Sequence, residues 1–87
     1  MKTIIVDRMN PMWNIDQKLV EYTFRHIFEY CKDILKYRGY IYLNQIYEQL
    51  GAAWNPDDEN ICYRKDDKPI EFDLEAIGSN VYCVHII

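Results

Sequence analysis

Glycine and serine are scarce in this chain, and their scarcity excludes several kinds of catalytic site. The only glycines are Gly39, Gly51 and Gly78, which lie far apart in the sequence. A phosphate-binding loop needs several glycines close together, so the chain contains no loop of that kind. Ser79 is the only serine and lies in a turn-like stretch, with no base beside it in the sequence. No general acid and base stand out either.

Long apolar runs are also missing. Only Ile4, Ile5 and Val6 separate Thr3 from Asp7, whereas a signal peptide needs an apolar region of about 7–15 residues. No run approaches the roughly 20 apolar residues that span a bilayer. We therefore expect a cytoplasmic protein without a membrane segment.

The cysteines do not form a recognisable set. Cys31, Cys62 and Cys83 are odd in number and widely spaced, which matches neither a disulfide framework nor a zinc pattern. Free buried thiols in a reducing compartment are the simplest interpretation. Strand alternation would place Cys83 and His85 on one face, but nothing else marks a nucleophile. The alternative is a half-buried strand with a hydrogen-bonded histidine.

Metal binding has little support in the sequence. Asp57, Asp58 and Glu59 are adjacent, whereas an EF-hand loop alternates its ligands. We expect no specific metal, no cofactor and no enzymatic activity.

The composition predicts one folded domain over residues 1–87. The chain is 49% hydrophobic and 15% aromatic, with eight tyrosines, which is too apolar for a disordered segment. Tyrosine combines a large ring with a polar hydroxyl and is common at surfaces that bind partners.

The net charge of −4 is unevenly distributed along the chain. Residues 1–54 hold seven Lys/Arg and six Asp/Glu, whereas residues 55–87 hold three and eight. The acidic second half argues against nucleic-acid binding, because neutralising phosphates supplies most of that affinity. It suits a basic protein partner, or simply a charged loop that aids solubility.

The clearest predicted element is an amphipathic helix over residues 15–37. Asn14 is the predicted N-cap, Asp16 lies in the first turn, and Gly39 ends the helix. The apolar positions recur at helical spacing on one face, and they are Val20, Phe24, Ile27, Phe28, Cys31, Ile34 and Leu35.

The remaining elements are short. Residues 3–6 and 40–43 are predicted strands, and Asn44 is the predicted cap of a helix over residues 45–50. A loop over 52–60 precedes strands at 61–63 and 70–74, which residues 65–69 would join as a hairpin, and a last strand at 81–87. The pattern predicts an α+β fold with both helices on a small antiparallel sheet, and a winged-helix-like arrangement is one version of it.

A second face of the long helix carries aromatic rings. Tyr22, His26 and Tyr30 follow one another at intervals of four residues, and Tyr37 lies in the same sector. Together with the core stripe, this sector is wider than a helix needs to pack on one layer. Either the N-terminal strand or the 52–60 loop covers these rings, or they form a partner-binding or self-association surface.

Residues 39–51 read Gly-Tyr-Ile-Tyr-Leu-Asn-Gln-Ile-Tyr-Glu-Gln-Leu-Gly. This run resembles a stretch of small uncharacterised proteins of bacteriophages and bacterial mobile elements. In those proteins a Trp and a Phe-containing acidic strand follow, places that Trp54 and residues 70–73 fill here. Gln45 departs from the acidic residue of the pattern. The resemblance implies a setting in which small proteins often bind a host component, and it transfers no site residue.

These observations favour a non-enzymatic binding protein that acts through protein–protein contact, such as an inhibitor or accessory factor of a mobile element. Two candidate surfaces follow from the sequence. One comprises Tyr22, His26, Tyr30 and Tyr37, and the other comprises Asp57, Asp58 and Glu59. The partner is an unidentified protein or a second copy of the chain. The alternatives are a small-nucleotide-binding protein, with a Tyr or Trp54 stacked on the base, and a winged-helix-like nucleic-acid-binding protein.

Overall fold

The computed structural model describes residues 2–87 and has the predicted α+β fold. The elements in chain order are β1 (Lys2–Asp7), α1 (Gln17–Arg38), β2 (Tyr40–Tyr42), α2 (Leu43–Gln49), a short 3-10 helix (Pro56–Asp58), β3 (Cys62–Arg64), β4 (Phe72–Gly78) and β5 (Val81–Ile86). Within residues 2–87, neither helix is long and apolar enough to cross a membrane.

Helix α1 begins two residues later than predicted. The carboxylate of Asp16 accepts a hydrogen bond of 2.9 Å from the Lys18 backbone N–H, so Asp16 is the N-cap. Asn14 instead accepts from the Asp16 N–H at 2.9 Å, which forms a turn ahead of the helix. The predicted end is confirmed. Gly39 adopts a left-handed φ of 91°, which costs glycine little, and its N–H donates to the Leu35 carbonyl at 2.9 Å.

The strands form two antiparallel sheets rather than one. The larger sheet has the order β1-β5-β4, and the smaller one pairs β2 with β3. The predicted hairpin over residues 65–69 is therefore wrong, because β3 pairs with β2 and β4 pairs with β5. Hydrogen bonds from Leu43 N–H to the Ile61 carbonyl and from Lys65 N–H to the Gly39 carbonyl extend the small ladder at its two ends.

The core lies where α1 meets one face of the larger sheet, and β2 and α2 close it with Ile41, Leu43, Ile46, Tyr47 and Leu50. The buried positions of α1 are those that the apolar periodicity predicts, namely Val20, Phe24, Phe28, Cys31 and Leu35, with Ile27 and Ile34 partly buried. Opposite them, Val6, Tyr82, Val84 and Ile86 are buried on the sheet. Phe28 stacks on Phe72 of β4 with ring centroids 4.8 Å apart. This packing fixes the rotation of α1 and hence the face that it exposes.

Helix α2 begins before Asn44, so the prediction that Asn44 caps it is wrong. The N-cap is Tyr42, whose backbone N–H donates to the Gln45 side-chain oxygen at 3.0 Å. Asn44 is buried instead. Its side-chain oxygen accepts from the Asn55 N–H at 2.9 Å, and its amide donates to the Asn55 carbonyl at 3.0 Å. These two bonds hold the loop after α2 against the helix.

All three cysteines are free thiols. Cys31 and Cys83 are buried as expected, whereas Cys62 is only half-buried. Burial raises the pKa of the Cys31 thiol to about 12, which keeps the thiol protonated and unreactive at neutral pH.

Candidate functional site

The aromatic face of α1, defined as Tyr22, His26, Tyr30 and Tyr37, is exposed along its length. Tyr22, Tyr30 and Tyr37 are 63%, 53% and 79% exposed, and His26 is also exposed. Leu19, in the same sector, is 48% exposed. Within residues 2–87, neither the N-terminal strand nor the 52–60 loop covers these rings. The rotation of α1 that buries Phe24 turns this sector outward, and its use as a partner surface stays a prediction.

Tyr22 and His26 form a fixed pair on this face. The Tyr22 hydroxyl lies 3.0 Å from the His26 Nε2, and the two rings meet edge to face with centroids 4.7 Å apart. The pair therefore loses less rotamer freedom on binding than two independent side chains would. Tyr30 continues the line one turn further along the helix.

An open groove runs beside the aromatic face and has a volume of about 540 Å³. Its lining residues are Met12, Tyr22, Thr23, His26, Ile27, Tyr30 and Gln49. Three elements meet there, namely α1, the segment after β1 and the end of α2. The lining contains no Lys, Arg, Asp or Glu, so the groove suits apolar side chains with a few polar contacts.

Gly51 allows the segment after β1 to approach α2 closely. Gly51 has a φ of 75°, and a Cβ atom there would lie 2.8 Å from the Asn10 side-chain oxygen. The Asn10 amide donates to the Leu50 carbonyl at 2.8 Å, and its oxygen accepts from the Met12 N–H at 2.7 Å. This turn brings Met12 to the rim of the groove. The sequence does not indicate a role for Met12 or Gln49, since both reach the groove through contacts between distant parts of the chain.

The second candidate surface, formed by Asp57, Asp58 and Glu59, is not a fully exposed acidic patch, because one of its three carboxylates is buried. Asp58 is only 5% exposed, whereas Asp57 and Glu59 are exposed. The Asp58 carboxylate accepts hydrogen bonds from the Lys2 ammonium at 3.0 Å and the Tyr47 hydroxyl at 2.8 Å. Asp58 therefore ties β1 to α2 from a buried position, which leaves Asp57 and Glu59 as the exposed acids of this surface, and the use of the surface in partner binding stays a prediction.

The Asp58 network shifts the pKa values of two of its members. The hydrogen bond from Lys2, followed by that from Tyr47, lowers the pKa of the Asp58 carboxyl. Burial, followed by the hydrogen bond to Asp58, raises the pKa of the Tyr47 phenol well above its ordinary value. Both shifts favour the pair that forms the hydrogen bond, a carboxylate and a protonated phenol.

We expect Asp58 to make the protein less stable in acid. Its lowered pKa stabilises the fold above the unfolded-state pKa of about 3.9, and that contribution is lost as the pH falls through the folded-state value. Urea unfolding of wild type and Asp58→Asn should therefore differ most near neutral pH and converge as the pH falls below about 4. The control is Asp57→Asn, which removes a neighbouring exposed carboxylate. Parallel curves for wild type and Asp58→Asn at all pH values would contradict this role.

Trp54 and the Cys83–His85 pair are the other residues that the sequence suggested for a functional role. Trp54, the ring considered for stacking on a base, is 61% exposed in the loop after α2. Cys83 and His85 lie on one face of β5, as alternation predicts, and Glu75 of β4 joins them. The sequence does not indicate a role for Glu75, because its proximity to Cys83 and His85 depends on the register between β4 and β5.

Comparison of the chain with known protein families, with curated proteins and with solved structures finds no match in any of the three.

Proposed function

We propose that this protein is a non-enzymatic binding protein whose aromatic face docks an amphipathic helix of a protein partner. The observation that carries the proposal is the line of exposed rings along one side of the 22-residue helix α1, beside an open groove. A continuous line of exposed aromatic rings is typical of interaction sites.

The spacing of the rings suits a helical ligand. Tyr22, His26 and Tyr30 are four residues apart and span about 12 Å along the helix axis. Side chains of a partner helix at the same spacing can interdigitate with them as ridges into grooves. Tyrosine is enriched among the residues that contribute most to binding energy, and the uncharged groove can receive apolar anchors of the partner.

Charge favours a different protein over a second copy. The chain carries a net charge of −4, so two copies repel each other. The exposed Asp33 lies in the same helical sector as the rings. In an antiparallel pair of α1 helices centred on His26, Asp33 would face Leu19 of the other copy and remain unpaired. A partner helix with a Lys or Arg opposite Asp33 avoids that cost.

The resemblance of residues 39–73 to small proteins of bacteriophages and mobile elements supports a setting for this binding. In that setting the partner is a host protein, and binding inhibits or modifies the system to which that protein belongs.

The proposal is tested by affinity capture from a bacterial lysate, with quantitative mass spectrometry of the captured proteins. Wild type is compared with Tyr22→Ala/Tyr30→Ala and with Trp54→Ala, which removes an exposed ring outside the aromatic face. We expect the double variant to lose a partner that wild type and Trp54→Ala both capture. The loss should be about 30-fold or more, since truncating one hot-spot aromatic costs about 2 kcal/mol.

Two controls decide how the result is interpreted. The double variant should keep its free energy of unfolding within about 1 kcal/mol of wild type, because exposed substitutions cost about 0.5 kcal/mol each. If it unfolds, the rings belong to the core and the proposal fails. Equal capture by both variants also contradicts it. If sedimentation shows a wild-type dimer that the double variant abolishes, the occupant is a second copy rather than another protein.

A further inference from the structure

The outer face of the larger sheet, which points away from α1, brings together three side chains with metal-binding atoms. On β5, Cys83 and His85 alternate with the buried Val84, so both point outward. Glu75 of β4 lies directly across from Cys83 in the antiparallel register. The three side chains therefore share one face, and their ligand atoms converge where β4 and β5 pair.

The geometry of the cluster is close to that of a metal site. The Cys83 sulfur, a ring nitrogen of His85 and a carboxylate oxygen of Glu75 all lie within 4.8 Å of one another. The His85 Nε2 lies 3.3 Å from the Glu75 Oε1. A zinc ion binds sulfur at about 2.3 Å and nitrogen or oxygen at about 2.0–2.2 Å, so a tetrahedral site would hold the ligand atoms about 3.5 Å apart and the three side chains would have to close by up to about 1 Å. Small side-chain rotations would complete the contacts.

Thr3 of β1 orients the histidine. The Thr3 hydroxyl lies 3.4 Å from the His85 Nδ1, and Thr3 pairs with His85 across the strands. When Nδ1–H donates to this hydroxyl, Nε2 carries the lone pair and lies 3.3 Å from the Glu75 carboxylate. Metal-binding histidines are generally held by such a hydrogen bond from the other ring nitrogen.

We propose that Cys83, His85 and Glu75 bind one zinc ion on the outer face of the sheet, with Thr3 as a positioning residue. A thiolate, an imidazole and a carboxylate form a ligand set that favours Zn²⁺ over the hard cations Mg²⁺ and Ca²⁺. Three protein ligands leave one tetrahedral position for water or for an incoming ligand atom. Asp73, which pairs with His85 on β4, lies on the same face next to the site.

The surroundings of Cys83 favour a metal ligand over a free nucleophile. Cys83 is only 5% exposed, whereas nucleophilic cysteines lie in partly exposed surroundings. Zinc binding would release the thiol proton and offset the charge of Glu75. Ile5 of β1 is the neighbour of Cys83 on the other side in the antiparallel register. The site would join β4 to β5 and is independent of the aromatic face on α1.

The proposal is tested by calorimetric titration of the purified chain with Zn²⁺ under reducing conditions. Wild type is expected to bind one ion. Cys83→Ser, His85→Gln and Glu75→Gln should each weaken binding by at least about 10–100-fold, since even changes beyond the direct ligands have effects of that size. Thr3→Val keeps the β-branched shape but lacks the hydroxyl, and should weaken binding about tenfold. The matched controls are Cys62→Ser and His26→Gln, which should bind as wild type.

Substitution with Co²⁺ gives a second readout that does not depend on affinity. A cobalt ion bound by Cys83 should show a thiolate-to-cobalt charge-transfer band and tetrahedral visible bands, which Cys83→Ser removes and Cys62→Ser retains. Circular dichroism confirms that each variant is folded. Because Glu75 is exposed, Glu75→Gln keeps the test decisive if the buried Cys83→Ser variant unfolds. Binding that is absent in wild type, or equally strong in Glu75→Gln and His85→Gln, would overturn the proposal.

Discussion

Replacing Phe24 with alanine is expected to destabilise the protein by about 3–5 kcal/mol, the usual cost of removing a buried aromatic ring. The Phe24 side chain is 0% exposed and lies at the centre of the α1 stripe that packs on the larger sheet. A domain of this size is stable by only about 5–10 kcal/mol. The variant should therefore be partly unfolded at moderate temperature, which urea unfolding followed by circular dichroism measures.

The matched control for Phe24→Ala lies two residues away on the same helix. Tyr22→Ala removes a ring that is 63% exposed, and its effect on stability should stay within about 0.5 kcal/mol. The contrast tests the rotation of α1, since the two rings exchange roles if the helix turns by about half a revolution. Equal losses for both variants would contradict the assignment of the core and the aromatic face.

Replacing Asn44 with leucine is expected to cost at least about 2 kcal/mol, because each buried polar group left unpaired costs about 1–3 kcal/mol. Asn44 is 1% exposed and binds both the N–H and the carbonyl of Asn55. Leucine has a similar volume but cannot replace either bond. The loop after α2 should loosen, and amide hydrogen exchange at Asn55 should become faster.

The control for this prediction is Asn60→Leu, a change of the same chemistry at an exposed position. It should leave both the unfolding free energy and the exchange at Asn55 close to wild type. If Asn44→Leu is as stable as Asn60→Leu, the two hydrogen bonds do not hold the loop.

The sequence predicted α1 and its buried face well, because hydrophobic periodicity over 22 residues is a strong local signal. The predicted start of α1 lay two residues too early. Asn14 and Asp16 are both suitable caps, and only the turn geometry selects between them. The prediction of the α2 cap was wrong for a related reason. Asn44 has the residue type of a cap, but it is buried through contacts with a loop eleven residues away.

Strand pairing was the weakest part of the prediction. Residues 65–69 have the composition of a hairpin turn, which suggested that the strands on either side pair with each other. In the structure β3 pairs with β2, and β4 pairs with β5. Such pairing depends on how α2 and the following loop return the chain, which no local pattern encodes.

The part of the candidate site that lies on a single helix could be predicted from the sequence. The part that several segments of the folded chain form together could not. The interval of four residues between Tyr22, His26 and Tyr30 placed these rings on one face of α1. The groove also needs Met12 and Gln49, which only the folded chain brings together. The burial of Asp58 was equally hidden, because its partners Lys2 and Tyr47 are distant in sequence.

The central claim, that a protein partner docks on the aromatic face, is tested most directly by site-specific photo-crosslinking. A photoreactive benzophenone amino acid is introduced in place of Tyr30, which leaves the Tyr22–His26 pair intact, and separately in place of the exposed Trp54. On irradiation in a bacterial lysate, we expect the variant at position 30 to form a covalent adduct with one partner protein. The variant at position 54 should form none with that partner. Equal crosslinking from both positions, or none from position 30, would contradict the claim.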